Sequence, residues 1–173
     1  MTYSWRAGRA GWTESHHHRS PAMDDLPLIL AAPLMAVMIW TDLRHMRIPN
    51  TLVAAVALLG LGCALAGLMP DLAPRLIAGG AVFLAGLALF AMGVMGGGDV
   101  KMLAVLVPLV PPAALPGFAM LLSVTMLAGA LLLMGVRRVA GGPDSHWESL
   151  RARGRYPLGL SIAAAAMILP LGI

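Results

Sequence analysis

Leu76-Ile77-Ala78-Gly79-Gly80-Ala81-Val82-Phe83-Leu84-Ala85-Gly86-Leu87-Ala88-Leu89-Phe90-Ala91-Met92-Gly93-Val94-Met95 carries no charge over its 20 residues, and Gly96-Gly97-Gly98-Asp99-Val100-Lys101 follows at once. About 20 apolar residues in a helix cross a bilayer. An ionisable residue at membrane depth is costly and marks a candidate functional site. Asp42, a second acid, ends the first apolar stretch, in Trp40-Thr41-Asp42-Leu43-Arg44-His45-Met46-Arg47-Ile48-Pro49-Asn50. Two hydrophobic runs separate the acids, so the chain crosses and returns, and both acids reach the same face.

Working outward, the whole chain reads as an all-α polytopic membrane protein. Its 173 residues are 59% apolar and only 12% charged, against roughly 25% charged in soluble domains, and the mean hydropathy is +0.82. Candidate spans are 26–41, 51–69, 76–95, 102–116, 117–136 and 156–173, about six transmembrane helices. Pro27 and Pro33 interrupt the first. Pro108, Pro111, Pro112 and Pro116 crowd the end of the fourth, and proline kinks or ends a helix. Small residues at helical spacing (Ala81, Ala85, Ala88, Gly129; Gly60, Ala64, Gly67) are expected to let helices approach closely.

Charge sets the orientation. With six crossings and the N-terminus outside, the inner loops hold Arg44, Arg47, Lys101, Arg137, Arg138, Arg151, Arg153 and Arg155. Arg6, Arg9, Arg19 and Arg75 stay outside. That bias places both aspartates at the cytoplasmic face. It also accounts for the net charge of +4 and the pI near 10.2 without nucleic acid, since the basic residues are scattered between spans rather than gathered on one face. Residues 1–22, with His16-His17-His18, form a polar tail, expected to be disordered or an over-called start; Met23 is then the natural start and 23–173 the membrane domain. In the loop 137–155, Trp147 and Arg151 are expected to anchor a connector at the headgroups. Cys63, the one cysteine, lies in an apolar run and reads as a small buried hydrophobe. No metal site and no cofactor is expected.

Two carboxylates that share a site cannot both ionise easily, so the pair holds one proton. The ionised partner can take a proton from water while the other donates to a carbonyl oxygen, which is peptide hydrolysis without a covalent intermediate. Taken singly, each acid has a plainer reading: Asp42 as a loop cap, Asp99 as a helix N-cap. Gly96, Gly97 and Gly98 permit close backbone approach, as a substrate strand needs, but also suit a flexible linker. Lys101 reads as a side chain reaching for headgroups. Pro49 fixes the start of the second helix, where Asn50 or Thr51 can satisfy free amides. Arg44 and Arg47 are expected to hold the loop at the surface, and His45 to be exposed.

Asp42 with Ile48-Pro49-Asn50, followed by Gly96-Gly97-Gly98-Asp99-Val100-Lys101, resembles the type IV prepilin peptidases, whose second motif is GxGD, usually continued as xK. Tyr156-Pro157-Leu158-Gly159-Leu160-Ser161 resembles the Pro-Tyr-Gly start of that family's last helix, with Leu158 where Tyr is common. The resemblance implies a multi-pass inner-membrane aspartic endopeptidase. Such an enzyme removes a basic leader from prepilin or pseudopilin substrates at the cytoplasmic face, beside a pilus assembly machinery. It implies Asp42 and Asp99 as the catalytic pair, with Gly96, Gly97, Gly98, Lys101, Ile48, Pro49 and Asn50 in support. The chain lacks the paired CxxC domain of the longer, methylating members, and is similar to the short form that serves tight-adherence (Flp) pili. The competing readings are another GxGD intramembrane protease, and a transporter or non-catalytic scaffold. Transport would favour acids near the bilayer midplane and repeated halves, whereas here both acids sit at span ends.

Overall fold

The computed structural model describes residues 24–140 and 156–172. The N-terminal tail, Met23 and the Trp147–Arg151 anchor lie outside the described residues. Within them the chain is all-α: α1 Leu26–His45, α2 Asn50–Leu65, α3 Leu72–Ala91, α4 Gly97–Leu106, α5 Leu115–Ala140 and α6 Leu158–Ile168. Three stretches, Leu26–His45, Leu72–Ala91 and Pro112–Val136, are long and apolar enough to cross a membrane. The polytopic membrane fold read from composition therefore stands.

Packing runs in an arc. α3 lies on α4, α4 on α2, α2 on α1, α1 on α6, and α6 on α5, with α4 also touching α6. Met35, Met38, Val56, Met102, Leu106, Leu109 and Ile162 fill the centre. The outward faces of α3 and α5 expose Ile77, Leu84, Leu127, Leu131 and Leu132, as helices bordering lipid do.

Several local expectations need correction. The first helix does not stop at residue 41 or break at Pro33; it runs to His45 with Pro33 inside it. Pro27 lies in the opening turn, where its missing amide costs nothing. Asp42 thus sits one turn before the helix end. The fourth segment is not a helix over 102–116. α4 begins at Gly97, and after Leu106 the chain passes through short 3₁₀ turns, Val107–Leu109 and Pro112–Ala114. The prolines there deny the amides a longer helix needs.

Of the small residues, Gly129 does sit against a close neighbour, Tyr156, but the stripe on α3 lies elsewhere. Ala81, Ala85 and Ala88 face outward. The close approach of α3 to α4 is made at Gly79 and Gly86, one face of the same helix. A Cβ on Gly79 would meet Pro108 at 2.7 Å and the Ala104 carbonyl at 3.0 Å; one on Gly86 would meet Val100 at 2.9 Å. Gly67 is a turn residue in the left-handed region, φ +70.

Arg75, expected as a surface charge, is 1% exposed. Its Nε donates to the Pro70 carbonyl at 2.9 Å. One terminal nitrogen donates to the carbonyls of Pro108 and Leu109, both at 3.2 Å. Asp24, Asp71 and Asp25 lie within electrostatic reach. Irregular backbone at membrane depth must be satisfied within the protein, and Arg75 does this for the turn after α4. Arg75→Ala leaves these buried carbonyls without that donor, a loss of about 1–3 kcal/mol. Reversible unfolding of the purified protein in mixed micelles should read that loss; a change under about 1 kcal/mol would contradict the clamp.

Candidate functional site

Asp42 and Asp99 line one cleft of about 300 Å³, together with Met46, Arg47, Ile48, Gly96, Gly97 and Gly98. Each wall has a local cause. Met46 ends α1 in the left-handed region, φ 48, with its amide donating to the Asp42 carbonyl at 2.9 Å. A non-glycine residue in that region costs on the order of 1 kcal/mol. The turn folds the chain back so that Ile48 faces the glycine loop. A Cβ on Gly98 would lie 3.3 Å from the Ile48 Cβ, so the two acid-bearing segments approach closely at Gly98. Gly97 stands against the Phe90 ring.

Asp42 is 4% exposed. Its Oδ2 accepts from the Leu160 amide at 3.0 Å, and the Gly159 amide faces it as well. These are first-turn amides of α6, whose own helix leaves them without partners. The Asp42 carboxylate supplies the missing acceptor from another helix. Gly159 has no room for a side chain: a Cβ there would sit 2.7 Å from the Asp42 Oδ2 and 3.1 Å from the Met38 Cε.

Asp99 is half-buried and is not the N-cap of its helix. Gly96 holds that place and Asp99 lies in the first turn, with its carboxylate returned to the Gly96 amide. This is the backward half of a capping box. Burial, then the charge of Asp42, push the Asp99 carboxyl up to about 6, while the Gly96 amide acts in the opposite direction. The two acids therefore interact as well as share walls.

The supporting residues divide. Lys101 donates to the Asn50 Oδ1 at 3.3 Å across the exposed rim, joining α4 to the start of α2. Lys101 is thus tied to a neighbouring helix. Pro49 occupies the N-cap position of α2, and neither Asn50 nor Thr51 caps it through a side chain. Arg47 lines the cleft. Arg44 instead stacks over Trp40, 5.7 Å from the ring centroid, and His45 is exposed. Among the described residues no group of three or more metal-ligating side chains gathers. Sequence reasoning missed the role of Gly159 and Leu160. Their stretch stood out only as a motif, because a backbone amide has no side-chain signature.

The raised Asp99 carboxyl has a thermodynamic consequence. The folded state binds its proton more tightly than the unfolded chain does, so this group's contribution is present below the ordinary aspartate value of about 3.9. It is lost as pH rises through about 6. Asp99→Asn should therefore flatten the stability–pH curve between about pH 4 and 6, and should stabilise the protein above that range. Thermal unfolding in detergent across that range checks this; an unchanged slope would contradict it.

A search of curated proteins and one of solved structures each give no significant match. The family model of the type IV leader peptidases matches residues 29–134. That match holds both aspartates, the Ile48-Pro49-Asn50 element and the glycine loop, and it covers more than half of the chain. The chain belongs to the type IV leader peptidase family, and is a membrane-embedded peptidase of that kind.

Proposed function

We propose that the protein removes the basic leader peptide from type IV or Flp prepilin-like substrates at the cytoplasmic face of the inner membrane, with Asp42 and Asp99 activating water. The observation that carries this reading is the joint presence of the two carboxyls in one small cleft, with the charge of one raising the proton affinity of the other. A pair holding a single proton has a base and an acid available together. The water oxygen attacks the scissile carbonyl carbon as its proton passes to the carboxylate, while the carboxylic acid protonates the carbonyl oxygen. Collapse of the resulting diol breaks the C–N bond, protonates the leaving nitrogen and restores the pair.

The surroundings fit an extended substrate. Gly96, Gly97 and Gly98 form a cleft wall without side chains, against which a peptide strand can lie. Arg47 stands at the same cleft. The excess of basic residues in the loops on this side supports the cytoplasmic orientation.

Co-expression with a prepilin from the same genome tests this. The wild type should give a shortened product on a gel. Asp42→Asn and Asp99→Asn should each lower cleavage by at least about 10²-fold while the protein still inserts. Retained cleavage in either variant would remove that residue from the mechanism. An inserted wild type that leaves prepilins intact would favour a non-catalytic scaffold.

A further inference from the structure

The two acids are not held alike. Asp42 is buried, and it meets the opening turn of α6, a helix of 11 residues. The Leu160 amide reaches its Oδ2 at 3.0 Å and the Gly159 amide faces it too. Burial opposes charge on Asp42, the more buried of the two acids, whereas amides at a helix start favour the ionised form of a carboxyl group placed against them. Asp99 is half-buried and returns to a single loop amide, that of Gly96.

The start of α6 is itself fixed. The hydroxyls of Tyr156 and Ser161 are hydrogen-bonded to each other. The Thr125 hydroxyl on α5 lies 3.1 Å from the Ser161 carbonyl, sharing its one proton with the nearer Leu121 and Leu122 carbonyls of its own helix, and Tyr156 packs against Gly129 of α5. The α6 amides therefore approach Asp42 from a braced position. Their approach depends on Gly159, since a Cβ there would fall 3.0 Å from the Asp42 carboxyl carbon.

We propose that the first turn of α6 divides the labour of the pair: the Gly159 and Leu160 amides hold Asp42 as the ionised base, Asp99 is left as the proton donor, and Gly159 is the positioning residue for Asp42. The chemistry of this assignment rests on the peptidase reading. Asp42 then takes the proton of water as the C–O bond forms, and Asp99 protonates the carbonyl oxygen. Asp42 next passes its proton to the nitrogen as the C–N bond breaks, and a diol hydroxyl returns a proton to Asp99. Other charged or titratable groups near the pair are Arg47 in the cleft wall, Tyr156 ahead of α6, and the exposed Arg44, His45 and Lys101 at the rim.

Carboxyl-labelled aspartate in the full-length protein in micelles reads each acid without any substrate. Asp42 is titrated in Asp99→Asn, and Asp99 in Asp42→Asn. Asp42 should have the lower midpoint, by about one pH unit or more. Adding Gly159→Ala to Asp99→Asn should raise the Asp42 midpoint by about one unit. The same change added to Asp42→Asn should leave Asp99 in place. A reversed order of the two midpoints, or an Asp42 midpoint unmoved by Gly159→Ala, would overturn the assignment. If Gly159→Ala does not fold, the order of the two midpoints alone decides. No turnover is read, so failure to cleave prepilins would sink the peptidase reading and leave this titration order standing or falling on its own.

Discussion

The hydrogen bond from the Leu160 amide to the Asp42 carboxylate ties the first helix to the last, and the geometry of the cleft depends on it. A carboxylate buried among apolar helices must find donors inside the protein, because none come from lipid. Here the donors are backbone amides that α6 leaves free at its start. One contact thus meets two needs, an orphan donor and a buried acceptor. It also explains why Gly159, between Asp42 and Met38, has no room for a side chain, and it lies within the close packing of α1 on α6.

At the other end of the bundle the balance is reversed. The turn after α4 leaves carbonyls without partners where Pro108 and its neighbours deny a regular helix. A buried cation, Arg75, donates to them. The bundle therefore uses a short α4 that starts at the acid-bearing loop and ends on an arginine. The close contact of α3 through Gly79 and Gly86 keeps that short helix in register with Asp99 in its first turn.

The two acids that line the cleft stood out in the sequence because composition isolates them. Asp42 and Asp99 each border a long apolar run at matching ends, and the glycines before Asp99 admit the close approach seen between Gly98 and Ile48. The donors to Asp42 were not legible, since any residue supplies an amide. Arg75 read as a loop charge because it falls between the candidate spans 51–69 and 76–95, and burial of an arginine depends on partners 33 and 34 residues away. Spacing of small residues on α3 pointed to a stripe but not to the face that meets α4: Ala81, Ala85 and Ala88 turned outward, Gly79 and Gly86 inward. The prolines after residue 106 signalled a break without fixing where the helix before it begins.

The central claim is that the two acid-bearing segments meet in one cleft. A cysteine pair at Ile48 and Gly98 tests it most directly, in a background with Cys63→Ser. The Cβ atoms would lie 3.3 Å apart, close to the roughly 3.5–4.5 Å that disulfides span. Mild oxidation in native membranes should cross-link the pair nearly to completion, read as loss of maleimide labelling at both cysteines. Two cysteines that label freely and never join would contradict the shared cleft and the account built on it.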